Sequence, residues 1–291
     1  MSTQKSLSII IVNHNGRFWL KQTLETLKKQ YLSNSQLNVK TIVVDNNSTD
    51  DSQKMIRQSF RWVELLTLDE NVGFAAGNNV ALRNLTTDYA LLLNSDMELH
   101  EHSNFDQLIE VLEENKNIGI ISPKVKLTNA EIDPACHRGE PTLWASFTYF
   151  LGLESLFPNS KLFGQYHQYY KNIETIHEID ACSGAAMMVR AKALKKVGLL
   201  DERFFMYAED LDWCKRFRDE GLSILYYPLV VVTHHKNKSG IESHKATLSH
   251  RTKHHFYDTM LQYFDKHYAH HYPKWIRSLI AAILHIKKGV L

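Results

Sequence analysis

Residues 7–16, LSIIIVNHNG, and residues 41–51, TIVVDNNSTDD, share one pattern: a short apolar, largely β-branched run that passes directly into polar turn residues. Such runs are typical of buried strands. Between them, Leu20, Leu24 and Leu27 stand at helical spacing, which predicts the order strand, helix, strand. Ligands of open α/β sheets bind at the carboxyl ends of the strands. The polar residues after each run, Asn13 and Asp45 among them, are therefore candidates for a binding site.

The alternation of strand and helix patterns continues outward from this unit. The next expected elements are a helix at 52–58, a strand at 63–66, a helix at 75–85 and a strand at 89–93. Residues 136–170 are aromatic and have little periodicity, so we expect loops there. A later strand pattern at 222–233 contains Pro228, which predicts an interruption. The chain therefore reads as an α/β protein whose first hundred residues form a nucleotide-binding half.

Composition limits the class of protein. With 291 residues, 44% hydrophobic and 23% charged, the chain can bury one substantial core. A net charge of +2 gives little reason to expect nucleic acid as a partner. Three widely spaced cysteines without C-x-x-C spacing argue against a disulfide framework and favour a reduced, cytosolic setting. The polar N-terminus, followed by an apolar run of about six residues, does not resemble a signal peptide.

The C-terminal part has a different composition, rich in histidine and aromatic residues. Residues 275–286 are mostly apolar, with Arg277, Lys287 and Lys288 around them. This stretch is short for a membrane span. It fits a helix on a membrane surface, although an ordinary packing helix fits the pattern equally well.

Two acidic clusters follow predicted strands. Asp96 comes directly after the run 89–93, where a carboxylate can bind Mg²⁺ or Mn²⁺ together with a diphosphate. Asp45 can accept hydrogen bonds from a pyrimidine or a ribose. Each cluster also has a structural interpretation, a strand-ending turn for Asn94-Ser95-Asp96 and a helix cap for residues 45–51.

Three later features also carry possible chemistry. Residues 71–79, NVGFAAGNN, combine glycines that admit a ligand to the backbone with asparagines that offer neutral donors and acceptors. Glu209, Asp210 and Asp212 begin a helical pattern, where an acid can serve as general base or merely complement the helix dipole. His234 ends a strand and can ligate a metal or be structural.

Taken together and in this order, the motifs resemble family-2 glycosyltransferases, and within them the bacterial rhamnosyltransferase-like branch. The resemblance spans residues 7–266 and rests on VDNNSTD, NVGFAAGNN, LNSD, SGAAMMVR, the segment 198–212 and the late strand-end histidine. It implies a GT-A fold, a Rossmann-like nucleotide-binding half with a mixed central sheet, over residues 1–240. A C-terminal helical segment, 241–291, would follow and associate with a membrane.

The resemblance also implies roles for individual residues. Asp210 would be the general base, with Glu209 as its close competitor, in an inverting single displacement. Asp96 and His234 would bind Mg²⁺ or Mn²⁺, although Asn94-Ser95-Asp96 has one acid where the family often has two. The residues expected to bind the donor are Asn13, Asp45, Asn47, Gly73, Asn78, Asn94, Gly184 and Arg203.

The branch suggests an activated 6-deoxyhexose such as dTDP-L-rhamnose as donor and a lipid-linked glycan as acceptor, in the synthesis of a bacterial surface polysaccharide. A UDP-hexose donor fits the residues as well. The expected location is cytoplasmic, at the inner face of the plasma membrane. Three alternatives compete with this hypothesis. They are a nucleotidyltransferase, a zinc-binding module suggested by His250 and His254, and a sugar-nucleotide binder without catalytic activity.

Overall fold

The computed structural model describes residues 4–236 and 246–289, with side chains at 4–236 and 256–286. The strands are β1 (Ser6–Asn13), β2 (Asn38–Asp45), β3 (Glu64–Thr67), β4 (Tyr89–Leu93), β5 (Met97–Leu99), β6 (Ile118–Leu127), β7 (His177–Ile179), β8 (Ala186–Arg190) and β9 (Ser223–His234). The α-helices are α1 (Arg17–Thr26), α2 (Ser52–Ser59), α3 (Gly73–Leu82), α4 (Asp106–Glu114), α5 (Leu143–Phe150), α6 (Leu153–Leu156), α7 (Leu194–Val197), α8 (Glu209–Asp219), α9 (Ala246–His267) and α10 (Lys274–Gly289).

These strands form one mixed sheet in the order β3-β2-β1-β4-β8-β6-β9-β5, with β7 beside β9. Strands β1 to β4 are parallel, whereas β8 runs antiparallel to both β4 and β6. Every residue of β4 is buried, as expected for a central strand of a sheet that helices cover on both faces. The expected α/β fold with a mixed central sheet is confirmed.

Strand register brings the polar strand ends together. Asn13 pairs with Asp45 at the ends of β1 and β2. On the other side of the sheet, β5 runs antiparallel to β9 and pairs Met97 with His234. The residues that precede β5 therefore lie beside the end of β9, although the two strands are far apart in the sequence.

Pro228 interrupts the pairing of β9, as the sequence predicts. The register with β6 runs from Pro123 opposite Tyr227 to Lys124 opposite Val231, so the intervening residues of β9 have no partner there. Proline lacks a backbone N–H and is tolerated in a strand at such an irregularity. The strand then continues to His234 and ends at the sheet edge described above.

The loop-rich region expected at residues 136–170 also contains two helices that the pattern did not predict, α5 and α6. Thr142 caps α5, and its hydroxyl accepts a hydrogen bond from the Ala145 backbone N–H at 3.1 Å. The pattern missed these helices because they are short and aromatic. The helix predicted from Leu20, Leu24 and Leu27 is also modified, since α1 ends at Thr26 and a π-helical segment, Leu27–Leu32, follows.

The C-terminal helices begin after a gap in the described residues. The expected domain boundary at 240/241 lies outside the described residues, and the side chains of His250 and His254 are likewise not described. α9 packs against α10 and joins α8 through Lys266 and His267, which both contact Asp212. Within the described ranges, no helix combines the length and apolar character needed to cross a membrane.

Candidate active site

Asp45 is fully buried at the end of β2, and its carboxylate is occupied by hydrogen bonds within the protein. Oδ1 accepts from Asn13 Nδ2 at 3.3 Å, and Oδ2 accepts from the Ser48 backbone N–H at 2.9 Å and from Gln53 Nε2 at 2.8 Å. These bonds fix the turn between β2 and α2. Asp45 thus stabilises this edge of the sheet from the interior of the protein, and its carboxylate is not exposed to a ligand.

The side chain of the next residue, Asn46, holds the turn that precedes α3. Its Oδ1 accepts from the Val72 backbone N–H at 2.9 Å, and its Nδ2 donates to Asn71 Oδ1 at 2.9 Å and to the Gly73 carbonyl at 3.0 Å. One buried amide therefore connects the two polar loops that follow β2 and β3. The expected donor residue Asn78 has an internal role as well, because its Nδ2 donates to the Phe74 carbonyl at 2.9 Å.

Two of the expected site glycines allow close packing around Phe74. Gly73 has φ +84, and a Cβ there would lie 2.3 Å from the Phe205 carbonyl oxygen, which accepts the Phe74 backbone N–H at 2.8 Å. A Cβ at Gly184 would lie 2.8 Å from the Phe74 ring. Since a side chain at either position would displace its neighbours, both glycines fix the loop that leads into α8.

Asp96, His234 and Asp133 form a line of buried titratable side chains. His234 Nε2 lies 3.3 Å from Asp96 Oδ1, and His234 Nδ1 lies 3.0 Å from Asp133 Oδ2. Asn94 Nδ2 is 3.4 Å from the same Nε2. Lys236 Nζ, at 3.0 Å from Asp133 Oδ1, adds a cation to the outer end of this line.

These contacts change the protonation of His234 and Asp133. Burial disfavours the imidazolium, but the hydrogen bonds to Asp133 and Asp96 outweigh it and raise the pKa of His234 to about 9. Burial also opposes ionisation of Asp133, yet His234 and Lys236 hold the pKa of this carboxyl well below its ordinary range. Without a bound cation, the protonated imidazole of His234 thus lies between two acids, with Nε2 facing Asp96 and Nδ1 facing Asp133.

The geometry of Asp96 and His234 bears on the expected Mg²⁺ or Mn²⁺. No group of three or more His, Cys, Asp or Glu side chains in the described part of the chain is arranged to hold a metal ion. Magnesium, however, uses few protein ligands and completes its shell with water and phosphate oxygens. Neighbouring ligands of an octahedral ion with bonds of about 2.1 Å lie roughly 3 Å apart, close to the 3.3 Å between Asp96 Oδ1 and His234 Nε2. The spacing of this pair fits a divalent cation that completes its shell with oxygens from other sources.

Glu209 and Asp210 begin α8, and Asp210 is held from several sides. Its Oδ2 accepts from Arg138 Nη2 at 2.6 Å and from the Gly184 backbone N–H at 3.4 Å, and its Oδ1 accepts from the Leu211 backbone N–H at 2.7 Å. Arg138 is buried and also donates to the Cys182 carbonyl at 3.1 Å. Burial disfavours its charge, but Asp210 raises the pKa of Arg138 above its ordinary value. The result is a buried, oriented ion pair.

The neighbouring Glu209 has a different environment. It is also buried, and its Oε2 has no hydrogen-bond partner among the described residues. Burial, followed by the adjacent Asp210 charge, raises the pKa of Glu209 to about 8. The two adjacent carboxyls thus have different partners: Asp210 pairs with a buried guanidinium, and Glu209 Oε2 has no hydrogen-bond partner among the described residues.

The third acid of the motif, Asp212, and the expected diphosphate contact, Arg203, both have structural partners. Asp212 is fully buried and binds Arg216 at 2.9 Å and His267 at 2.7 Å. Arg203 is exposed and forms a two-point ion pair with Asp201. Burial opposes ionisation of Asp212, but its hydrogen bond with His267 and the nearby charges of Arg216 and Lys266 outweigh it and lower its pKa.

One cavity of about 1680 Å³ joins these groups. Several of the expected site residues line it: Gly73, Asn94, Asp96, Gly184, Glu209, Asp210 and His234. The other expected donor residues are not among its lining residues, namely Asn13, Asp45, Asn47, Asn78 and Arg203. The expected base and the expected metal pair therefore line the same cavity. Five of the expected donor-binding residues lie outside its lining.

Arg138 and Asp133 line this cavity but were missed from the sequence. Asp133 precedes Pro134, and its Oδ1 accepts the Ala135 backbone N–H at 3.1 Å. A turn was therefore predictable there, although its contact with His234 was not. Arg138 lies in the region with the weakest pattern and offers no local signal of its pairing with Asp210.

Comparisons with known proteins identify sequences that are similar to this chain. The model of glycosyl transferase family 2 matches residues 8–198. The low-salt glycan biosynthesis hexosyltransferase Agl10 of Haloferax volcanii is 28% identical over 79% of this chain and 67% of its own length. The N-acetylglucosaminyl-diphospho-decaprenol L-rhamnosyltransferase of Mycobacterium tuberculosis is 25% identical over 75% of this chain and 72% of its own.

A solved structure supports the fold. The mannosyltransferase PcManGT from Pyrobaculum calidifontis, in complex with GDP-Man and Mn²⁺, superimposes with a TM-score of 0.61. The alignment covers 99% of this chain and 72% of that one, at 16% sequence identity. At this identity the likeness concerns the fold alone, which agrees with the mixed sheet described above.

Proposed function

The chain belongs to glycosyl transferase family 2, and from that premise we propose that it transfers L-rhamnose from dTDP-rhamnose to a lipid-linked glycan. The chain is a glycosyltransferase; the donor, the acceptor and the residue roles are the proposal. The observation that carries it is the single cavity that contains both the Glu209-Asp210 pair and the Asp96-His234 pair. The name of the mycobacterial relative, a rhamnosyltransferase with a decaprenol-linked substrate, supports the choice of sugar and acceptor.

In the proposed reaction, the acceptor hydroxyl attacks the anomeric carbon of the donor from the side opposite the diphosphate. The new C–O bond forms as the bond to the diphosphate oxygen breaks, and the configuration at the anomeric carbon inverts. Asp210 takes the hydroxyl proton. Its ion pair with Arg138 and its hydrogen bond from Leu211 fix the direction of its carboxylate.

Asp96 and His234 are the residues that would hold Mg²⁺ or Mn²⁺. When bound, such a cation supplies positive charge to the leaving diphosphate. Asp133 would orient His234 through Nδ1, so that Nε2 faces the cation, as outer-shell carboxylates of metal-bound histidines do. On the donor side, Val12 in β1, His14 directly after it and Asn71 in the loop that Asn46 holds line the cavity and would contact the nucleotide.

We place the reaction in bacterial surface polysaccharide synthesis, in the cytoplasm at the inner face of the plasma membrane, where a lipid-linked acceptor would be found. A UDP-hexose is the alternative donor, because the haloarchaeal relative is described as a hexosyltransferase. A sugar-nucleotide binder without catalysis is the further alternative, and the oriented Asp210-Arg138 pair argues against it.

A panel of nucleotide sugars tests the donor. Purified protein is heated with UDP-, GDP- or dTDP-sugars in the presence of Mg²⁺, because a ligand that binds the folded state raises the apparent melting temperature. Selective stabilisation by dTDP-rhamnose supports the proposal. A selective UDP-sugar would keep the enzyme class and replace the sugar, and stabilisation by none of them, with a working control transferase, would contradict donor binding.

A further inference from the structure

The apolar face of α10 is turned into the cavity. The residues of α10 that line it recur at helical spacing along one side: Trp275, Ile276, Leu279, Ile280, Ile283 and Leu284. A helix that uses its apolar face only for packing would bury these side chains. Leu284 is buried, but Trp275 is 65% exposed and Leu279 is 52% exposed.

A second apolar surface comes from α5 and the residue after it. Its lining residues are mostly apolar or aromatic, with Ser146 as the exception: Leu143, Trp144, Ser146, Phe147, Tyr149, Phe150 and Leu151. Phe147 is 51% exposed and Leu151 is 58% exposed. We call the lining from residues 143–151 and 275–284 the apolar trough. Exposed apolar surface of this extent in a concave space marks a site for an apolar ligand rather than ordinary surface.

Charged side chains line only the remainder of the cavity. They include Asp96, Arg138, Glu209, Asp210 and Lys236, whereas neither α5 nor α10 contributes a charged lining residue. This separation matches an amphiphile with a polar head and a hydrocarbon tail. A flat bilayer surface does not fill a concave cavity of about 1680 Å³, whereas the hydrocarbon chain of one lipid molecule can enter it.

We propose that the apolar trough binds the hydrocarbon tail of the acceptor lipid, as a protein site separate from the membrane. The proposal rests on the proposed function, since it assumes a lipid-linked acceptor whose head reaches Asp210. It adds that the tail is recognised by α5 and α10. Acceptor affinity then depends on tail length, even without a membrane.

The test measures binding of prenyl diphosphates to the full chain by titration calorimetry in buffer free of detergent and lipid. Farnesyl diphosphate, geranyl diphosphate and inorganic diphosphate carry the same head with a longer, a shorter and no tail. Leu279→Ser is the test variant. Leu229→Ser is its matched control, because Leu229 is also highly exposed, at 60%, and is not among the lining residues.

Farnesyl diphosphate should bind at least about tenfold more tightly than geranyl diphosphate, because one more isoprene unit is buried. Leu279→Ser should weaken farnesyl diphosphate binding roughly fivefold and leave inorganic diphosphate unchanged, and Leu229→Ser should weaken neither. Equal affinity for all three ligands would overturn the proposal, as would equal losses in the two variants.

If the proposal is wrong, two further measurements show whether the apolar trough contacts a membrane or a second copy of the protein. Loss of sedimentation with phosphatidylethanolamine–phosphatidylglycerol vesicles in Leu279→Ser, with farnesyl diphosphate binding intact, would make α10 a membrane contact. A dimer that Leu279→Ser dissociates would make it a contact between two copies. Donor stabilisation is measured in the same samples, so that failure of the trough alone leaves the proposed function standing.

Discussion

At the residue scale, adjacent carboxyls at the start of α8 differ in what surrounds them. Asp210 is paired with a buried guanidinium, whereas Glu209 has an oxygen without a partner among the described side chains. Asp210→Asn removes the proton acceptor and keeps the shape, so we expect turnover to fall by about 10²–10⁴ with donor stabilisation retained. Steady-state kinetics and thermal shift on one preparation check this, and undiminished turnover would exclude Asp210 as the base.

In the proposed mechanism, Arg138 would act through Asp210 as a positioning residue. Arg138→Met should lower kcat at least about tenfold and leave the donor KM nearly unchanged, because the base loses its orientation but the donor loses no contact. Arg138→Lys should restore part of the loss. Arg190→Met is the control, since Arg190 bonds to the Ile118 carbonyl and the Tyr89 hydroxyl away from the cavity. Equal kcat losses in both methionine variants would indicate a general structural effect.

The raised pKa of Glu209 predicts a pH-dependent stability. The folded protein binds a proton at Glu209 up to about pH 8, whereas the ordinary carboxyl value is 4.5. Proton binding at Glu209 therefore contributes fully to the stability of the folded state below pH 4.5. This contribution is lost as the pH rises through about 8. Glu209→Gln should stabilise the protein at pH 9 by about 1 kcal/mol or more and have little effect at pH 5. Denaturation at both pH values, with exposed Glu70→Gln as control, measures it; equal effects at both pH values would contradict the prediction.

At the element scale, α9 contacts α8, the helix that begins with Glu209 and Asp210. Lys266 Nζ contacts Asp212 Oδ1 at 2.5 Å and Asp201 Oδ2 at 2.7 Å. Removing this cation leaves two acids with fewer partners, one of them fully buried. Lys266→Met should therefore cost about 1–3 kcal/mol of unfolding free energy.

Urea denaturation of Lys266→Met measures this cost. Lys116→Met is the control, because Lys116 forms an exposed ion pair with Glu113 and should change stability by no more than about 0.5 kcal/mol. Similar values for the two variants would mean that α9 contributes little to holding α8.

The comparison of elements also shows what the sequence could predict. The alternation that begins at β1 is local, since β-branched runs and helical spacing operate within about ten residues, and the fold class followed from it and was confirmed. The sequence predicted that another group would approach the backbone closely at Gly73. It did not predict that this group would be the Phe205 carbonyl.

The parts of the site that were missed depend on contacts between distant segments. Arg138 and Asp210 stand 72 residues apart, and Asp133 and His234 stand 101 apart. No local pattern encodes such pairs, because only tertiary packing brings them together. Asp45 illustrates the converse: its motif was correctly located at a strand end, but burial turned its oxygens inward. Its role in donor binding stays a prediction.

At the scale of the whole molecule, the proposed metal pair joins segments that are far apart in the sequence, since Asp96 precedes β5 and His234 ends its neighbour β9. Excess EDTA should abolish transfer, and Mg²⁺ or Mn²⁺ should restore it. Asp96→Asn should weaken activation by the metal, seen as a higher metal concentration at half-maximal rate. Full activity in excess chelator would remove Asp96 and His234 from this role.

The pairing of β5 with β9 has a further consequence for synthesis of the chain on the ribosome. Asn94 and His234, whose side chains meet there, are 140 residues apart. Such a long-range contact forms slowly, because a large loop must close before any stabilisation is gained. The nucleotide-binding half can collapse while translation continues, but β6 has no β9 beside it until the segment 223–234 has emerged. A nascent chain that stalls before that point exposes the edge of β6, and it is the species that we expect chaperones to protect.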